Sequence, residues 1–227
     1  MSFIAIEGLD GSGKSTQLNL LQQHLKERKI RYKYLHFPRT DSPVFGELVS
    51  MFLRGDLGSI DSVNPYLIAL IYAGDRNDAK QMVEEWIKEG YLVIVDRYVY
   101  SNIAFQCAKL IEKNMQEKLA EWILNLEYNY YRIPKPELSI FLNVPFDFIK
   151  ERLTEERKGD ERSYLQGNQD IHEADLSFQE KVRQVYLHNI RKDANFRLID
   201  CSREGKVLPP DKIFSKMVTI LQENQIL

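Results

Sequence analysis

The sequence predicts an α/β fold in which a parallel sheet is covered by helices on both faces. Short apolar, β-rich runs alternate along the chain with longer segments of helical periodicity, which is typical of folds built from strand–helix–strand units. A glycine-rich segment joins the first apolar run to the first helical segment. The 227 residues can form one large core, so we expect a single domain over residues 1–227.

Five apolar runs are the predicted strands. The third of them, Leu92–Val95, is apolar throughout, as expected of a central strand that is buried on both faces. The complete set is Phe3–Ile6, Tyr32–Phe37, Leu92–Val95, Leu138–Leu142 and Phe196–Ile199.

The segments between the strands have the periodicity of helices. The first helix is expected from Ser15, directly after the glycine-rich segment. Residues 155–175 fit neither period; they are rich in charge and contain two glycines, which favours a lid of about residues 150–175 inserted into the domain. The other predicted helices are Pro65–Glu89, Ser101–Lys113, Met115–Tyr131, Phe146–Glu156, Leu176–Lys192 and Asp211–Asn224.

Composition argues against several classes of protein. The formal net charge of −2 gives no reason to expect a surface that coats nucleic acid. Apolar runs fall short of the ~18 residues of a membrane helix, and the first residues lack the features of a signal peptide. Cys107 and Cys201 have no metal-ligand spacing, which is typical of reduced thiols in a cytosol. We therefore expect a cytoplasmic protein that binds neither nucleic acid nor membrane.

Residues 8–15, GLDGSGKS, match G-x-x-x-x-G-K-[ST] at every fixed position. In the predicted strand–loop–helix context, backbone N–H groups and the helix N-terminus form a phosphate site. The Lys14 ammonium would bind the β- and γ-phosphates of ATP, and the Ser15 hydroxyl would be a ligand of Mg²⁺. A glycine-rich turn without a ligand is the alternative. The other predicted ATP-binding residues of this segment are Gly8, Gly11, Ser12, Gly13 and Thr16.

Charged residues follow two of the predicted strands, at the edge of the sheet where parallel strands line a ligand crevice. Asp96 would hold the hydration shell of Mg²⁺, and Arg97 would neutralise phosphate charge. The alternative is that these two residues only form a salt bridge at the end of the strand. At the end of the second run, after Phe37, Arg39 would bind a second phosphate bidentately, or it is a solvated loop residue.

Tyr72 and Arg76 lie four residues apart in the helix predicted from Pro65, and therefore on one face. An aromatic ring and a guanidinium in this arrangement can stack on a base and donate hydrogen bonds to its edge. A core tyrosine beside a surface arginine is the alternative.

These motifs come in the order found in thymidylate kinases, and the chain resembles that family from Phe3 to about Asp200. The stretch DRYVYSNIAF, residues 96–105, separates this family from other nucleoside monophosphate kinases. The resemblance implies a three-layer α/β/α P-loop kinase fold with a five-stranded parallel sheet and a helical lid. It also implies a homodimer that transfers the γ-phosphoryl group of MgATP to dTMP, giving dTDP and ADP in dTTP synthesis. The remaining matching segments are residues 8–16, 37–39, 72–76 and 133–137.

The resemblance assigns roles around dTMP. Tyr72 would stack on thymine, Arg76 would reach its O4, and Asn102 would bind its N3. Phe105 would crowd C2′ of the sugar, where burying an unpaired ribose hydroxyl costs ~1–3 kcal/mol. Asp10 would contact the 3′-hydroxyl, although simple turn chemistry is an alternative for it. The complete predicted dTMP site is Asp10, Phe37, Arg39, Tyr72, Arg76, Arg97, Ser101, Asn102 and Phe105.

The lid would supply a cation that the P-loop lacks. Gly11 stands where some members of the family have a basic residue, so the charge has to come from elsewhere. Arg152 would stack on adenine, and Arg157 or Arg162 would join Lys14 and Arg97 as catalytic cations. Acidic and basic residues are interleaved in the lid, which is also typical of a solvent-exposed face. Thr40 replaces a phosphate-contacting tyrosine of some relatives, and the sequence leaves the role of His172 open.

Two other functions stay open on the sequence alone. One is a kinase of another nucleoside monophosphate or of a deoxynucleoside. The other is a catalytically silent nucleotide-binding module, against which the intact Lys14, Ser15, Asp96 and Arg97 argue. Phosphoryl transfer needs positioning and charge neutralisation, so the chain needs no Ser–His–Asp arrangement.

Overall fold

A five-stranded parallel sheet forms the centre of the computed structural model, which describes residues 2–154, 160–167 and 170–227. The order of the strands is β2-β3-β1-β4-β5, and each neighbouring pair is parallel. This confirms the predicted fold class. The strands are β1 (Phe3–Gly8), β2 (Tyr32–His36), β3 (Leu92–Asp96), β4 (Leu138–Asn143) and β5 (Phe196–Asp200).

Strands β1 and β3 are buried along their whole length. Their register pairs Ile6 with Asp96, so the two strands end side by side. The turn that follows β1 and the residues that follow β3 consequently face the same crevice at the carboxyl edge of the sheet, where open α/β folds bind their ligands.

Helices cover the sheet and account for most of the remaining chain. Helix α5 packs against α3, α6 and α9, beside the crevice. The helices are α1 (Lys14–Glu27), α2 (Phe45–Leu53), α3 (Pro65–Asp78), α4 (Lys80–Lys88), α5 (Val99–Cys107), α6 (Lys113–Leu124), α7 (Phe146–Thr154), α8 (Ile171–Ala174), α9 (Leu176–Ile190) and α10 (Pro210–Glu223). A short antiparallel pair, β6 (Ser202–Arg203) and β7 (Lys206–Val207), precedes α10.

Several predicted helix boundaries are wrong. The segment Pro65–Glu89 is two helices, because Ala79 interrupts it with ψ near −6°. The predicted helix Ser101–Lys113 begins at Val99 and ends at Cys107. The predicted helix Met115–Tyr131 ends in a π-helical turn, Asn125–Tyr130. Helix α2 and the short α8 were not predicted.

The region predicted as a lid contains α8, the end of α7 and a 3₁₀ turn, Asp160–Leu165. Leu165 belongs to a small core with Val49 and Phe52 of α2, separate from the main core around the sheet. The lid region therefore packs on α2 at one side of the crevice. Within the described ranges, no helix is both long and apolar enough to cross a membrane.

Candidate active site

The glycine-rich segment lies between β1 and α1, as predicted. Gly11 and Gly13 have φ of 77° and 81°, a conformation in which a side chain would be strained. Lys14 is the first residue of α1 and directs its Nζ back to the carbonyl oxygens of Gly8 and Leu9, at 3.5 and 3.4 Å. Burial and the Arg97 charge lower the pKa of Lys14, although nearby carboxylates oppose this shift.

A cavity of about 1160 Å³ opens above this loop. The ends of β2 and β3, the helices α3 and α5, and the lid region complete its walls. A cavity of this size exceeds the usual range for one small ligand, so it has room for two substrates. The predicted residues that line it are Asp10, Gly11, Ser12, Gly13, Lys14, Ser15, Thr16, Phe37, Tyr72, Arg76, Asp96, Arg97, Ser101, Asn102, Phe105 and Arg152.

Asp96 ends β3 beside the P-loop. Its Oδ2 accepts a hydrogen bond from His36 Nδ1 at 3.1 Å. Its Oδ1 is buried and has no hydrogen-bond partner among the described residues. Burial raises the pKa of Asp96, but the Lys14 ammonium and His36 outweigh it and hold the pKa below its usual value. The site thus contains an ionised carboxylate with one unused oxygen.

Arg97 is the centre of a buried ionic network. Its backbone is left-handed, with φ of 64°. Nη2 donates to Asp10 Oδ1 at 2.6 Å, and Nη1 donates to Ser101 Oγ at 3.2 Å. The guanidinium carbon lies 5.0 Å from the centre of the Phe105 ring. Burial disfavours the charge, yet Asp10 keeps the pKa of Arg97 above its usual value.

Two residues that the sequence analysis missed support this network. Glu7 is fully buried at the end of β1 and accepts hydrogen bonds from the Tyr98 backbone N–H, Ser101 Oγ and Tyr186 Oη. Burial raises the pKa of Glu7. Gln179 Nε2 donates to Asp10 Oδ2 at 3.0 Å. A charged residue directly after the apolar run Phe3–Ile6 was a signal for Glu7, whereas nothing local marked Gln179.

Arg76 and Asn102 line the same cavity as Tyr72 and share an unpredicted partner, Glu127. Arg76 is 2% exposed and donates from Nε and Nη2 to the Glu127 carboxylate. Asn102 Nδ2 donates to Glu127 Oε1 and to the Ala69 carbonyl, both at 3.0 Å. Arg76 is therefore a buried, paired residue, and the alternative of a surface arginine is wrong.

Arg39 lies in a position that differs from the predicted one. It donates from its backbone N–H and Nε to the Asp75 carboxylate, and from Nη2 to Asp78 at 2.6 Å. It is not among the residues that line the cavity. The physical reason is that Asp75 is fully buried in α3 and requires donors. Nη1 of Arg39 makes no hydrogen bond to the described part of the chain, so phosphate binding by Arg39 stays a prediction.

Gly8 does not line the cavity either. A Cβ at this position would lie 2.7 Å from Ser12 Oγ, so the glycine permits the close packing of the loop. Arg152 lies in the last turn of α7, and its guanidinium carbon is 5.3 Å from the centre of the Phe148 ring. Arg157 and the side chain of Arg162 lie outside the described part of the chain.

His172 and Asp170 extend the site toward the lid region. The His172 ring packs against Phe105, Phe178 and Phe52, with ring centres 4.9 to 5.4 Å away. Burial lowers the pKa of His172 well below its usual value, so the imidazole is neutral. Burial and the charge of Asp10 raise the pKa of Asp170 to about 7.

Comparisons with known proteins point to one family. The family model described as thymidylate kinase matches residues 6–209. A probable thymidylate kinase of Pyrobaculum aerophilum is 32% identical over 212 residues, which cover 93% of this chain and 94% of that relative. A thymidylate kinase of Mycobacterium tuberculosis is 31% identical over 81% of this chain and 83% of its own. The solved structure of a Candida albicans thymidylate kinase superposes with a TM-score of 0.71 at 26% identity, over 99% of this chain and 92% of that chain.

The raised pKa of Asp170 predicts an unusual pH dependence of stability. Below pH 4 the acid is neutral in both states, whereas between about pH 4 and 7 only the unfolded chain releases the proton, so the contribution of Asp170 to stability falls as pH rises. Asp170→Asn mimics the neutral acid and retains the capacity to cap α8. We expect its melting temperature to exceed that of the wild type at pH 8 and to converge on it near pH 4.

Asp175→Asn is the matched control, since Asp175 caps α9 and hydrogen bonds from Ser177 and Phe178 hold its pKa low. This variant should lose stability relative to the wild type at pH 8. The same pH profile for both variants would contradict the assignment of the shift to Asp170.

Proposed function

Since the chain belongs to the thymidylate kinase family and is a kinase that transfers the γ-phosphoryl group of ATP to dTMP, we propose that the cavity above the P-loop holds both substrates. The observation that carries this proposal is the position of Lys14 and Arg97. Each cation projects from the carboxyl edge of the sheet into one continuous cavity, and a transferring phosphoryl group between two substrates requires charge at that point.

The donor nucleotide occupies the P-loop side of the cavity. The backbone N–H groups of residues 11–16 surround its phosphates, and the helix dipole of α1 favours their negative charge. Arg152 lies at the rim of the same cavity, where its planar guanidinium can stack on adenine.

Ser15 and Asp96 are suited to hold Mg²⁺. The ion prefers oxygen ligands and retains several waters, and the buried, unused Oδ1 of an ionised Asp96 is an acceptor for such waters. When bound, Mg²⁺ neutralises charge on the β- and γ-phosphates. The residues of the chain hold the ion next to Lys14, which serves the same phosphates.

The acceptor phosphate lies at Arg97. This guanidinium is fixed on three sides by Asp10, Ser101 and the Phe105 ring, so its donors are oriented before the substrate binds. Such preorganisation avoids reorganisation during the reaction and holds the two reacting groups in line. In the lid, Arg157 and Arg162 are the further cations that we propose to act on the transferred group.

The thymine base lies between Tyr72, Arg76 and Asn102. Arg76 Nη1 offers donors to O4, and Asn102 Oδ1 accepts from N3–H; both residues line the cavity. Phe105 packs on His172 and forms the wall that faces C2′ of the sugar. The ring would crowd a ribose hydroxyl at C2′, because it presents an apolar face to that carbon.

We further propose a cytoplasmic homodimer. Leu67 and Leu70 of α3 are 59% and 39% exposed, and Tyr130 is 77% exposed beside a small apolar groove formed with Trp122. A second copy of the chain could cover these side chains. The free, buried thiols of Cys107 and Cys201 suit a reducing compartment.

A panel of acceptors tests the substrate assignment. In a coupled assay with ATP across dTMP, dUMP, dCMP, AMP and thymidine, we expect dTMP to give the highest kcat/KM. A higher value for dCMP or AMP would refute the placement of thymine at Arg76 and Asn102, and a higher value for thymidine would refute the phosphate site at Arg97.

Lys14→Ala and Arg97→Ala test the transfer site. Each variant should lower kcat by at least about a hundredfold, because each removes a charge that stabilises the transition state. The matched control is Arg31→Ala, whose side chain packs on Tyr91 at the protein surface, and it should retain wild-type kcat. Near-wild-type turnover of either site variant in a folded protein would contradict its role.

Phe105→Ala tests the sugar wall. Opening space at C2′ should reduce the preference for dTMP over its ribose counterpart by about tenfold, in line with a cost of ~1–3 kcal/mol for a buried, unpaired hydroxyl. The KM for ATP is the internal control and should stay unchanged. An unaltered preference would show that another residue discriminates between the two sugars.

A further inference from the structure

A fully buried carboxylate, Glu127, lies directly behind the residues that we place against the base. It accepts hydrogen bonds from Arg76 Nε and Nη2 and from Asn102 Nδ2. Glu127 is not among the residues that line the cavity, whereas both of its partners are. A buried carboxylate is costly unless it is paired, and here three donors compensate it.

The position of Glu127 follows from α6 and its π-helical extension. Leu119 and Ile123 are the buried residues of α6, and Glu127 continues the same stripe four residues later. An acidic residue thus stands at a core position. A charge at a buried position is tolerated where it has a partner inside the protein, and Arg76 is that partner.

Glu127 determines which atom of Asn102 faces the cavity. The Ala69 carbonyl and Glu127 Oε1 are both acceptors, at 3.0 Å each, so they require the amide nitrogen of Asn102 and use both of its N–H groups. The amide oxygen, Oδ1, is left buried without a partner among the described residues. An unpaired buried acceptor favours a ligand that can donate to it.

Glu127 also determines which N–H groups of Arg76 remain available to a ligand. The carboxylate takes up Nε and one terminal nitrogen in a bidentate pair, a geometry that fixes the plane of the guanidinium. Nη1 makes no hydrogen bond to the rest of the described chain. The two side chains therefore offer the ligand one set of donors, on Arg76, and one acceptor, on Asn102.

This pattern matches the edge of thymine, which has an acceptor at O4 and a donor at N3–H. Cytosine has the reverse pattern, with a donor at N4 and an acceptor at N3. We propose that Glu127 is a positioning residue that makes the site selective for thymine over cytosine, without contact with the substrate. The proposal rests on the function proposed above, in which thymine lies at Arg76 and Asn102.

Glu127→Gln tests this role, because a glutamine has one acceptor oxygen for three donors and brings an N–H₂ group against them. We expect the KM for dTMP to rise at least about tenfold, with kcat and the KM for ATP changed less than about threefold, since binding and not chemistry is affected. The ratio of kcat/KM for dTMP over dCMP should fall at least about tenfold. Glu127→Asp keeps an acceptor-only group and should retain that ratio even where the KM for dTMP rises.

A purely structural role for Glu127 predicts a different result. Asp193→Asn is the matched control, because Asp193 accepts from Tyr100 Oη away from the cavity; this variant should lower the melting temperature and leave base selectivity unchanged. Glu127→Gln with a lowered melting temperature and a wild-type ratio would overturn the proposal. If Glu127→Gln does not fold, a fall in the dTMP over dCMP ratio in Glu127→Asp would overturn it instead.

Asn102→Ala and Arg76→Ala separate this inference from the proposed function. If both variants keep the wild-type preference for dTMP, thymine does not bind at this pair and the proposed base site fails. If they lose the preference while Glu127→Gln keeps it, the base site stands and only the role of Glu127 fails.

Discussion

The requirement to compensate buried charge at the carboxyl ends of β1 and β3 governs the arrangement of the active site. Glu7, Asp10, Lys14, Asp96 and Arg97 are all buried or partly buried within a few residues of these two strand ends. Each charge removed from water needs a partner of opposite sign or several hydrogen bonds. The network that results fixes the cations in place, and the same fixation suits them to phosphoryl transfer.

Two kinds of selection operate along one cavity. At the phosphate end, the charges of Lys14 and Arg97 attract anions over a long range. At the proposed base end, Arg76 and Glu127 neutralise each other. In our proposal, the base is therefore distinguished by the direction of hydrogen bonds and not by net charge. The aromatic cluster of Phe52, Phe105 and His172 borders the space that we propose for the sugar.

The sequence allowed prediction of those features that depend on local pattern. Strand β3 was predictable because burial on both faces leaves an uninterrupted apolar run, and the P-loop because its glycines, lysine and serine have fixed spacing. The break at Ala79 and the π-helical turn after Leu124 were not predictable, since tertiary packing overrides helical period there. Glu127 meets Arg76 across 51 positions of the chain, and Gln179 meets Asp10 across 169. Pairings of this kind leave no trace in local spacing.

Arg39 makes a contact that its sequence motif did not predict. The motif places an arginine at the end of a strand, and its binding of a phosphate stays a prediction. The structure adds a second role, since this arginine compensates Asp75, a carboxylate that is fully buried in α3. A buried ion pair contributes little net stability but is costly to break on one side. Asp75 lies next to Arg76, so its pair with Arg39 anchors the segment of α3 that presents Arg76 to the proposed base site. Loss of Asp75 would thus act on the proposed base site through the backbone of α3, at a distance from the proposed substrates.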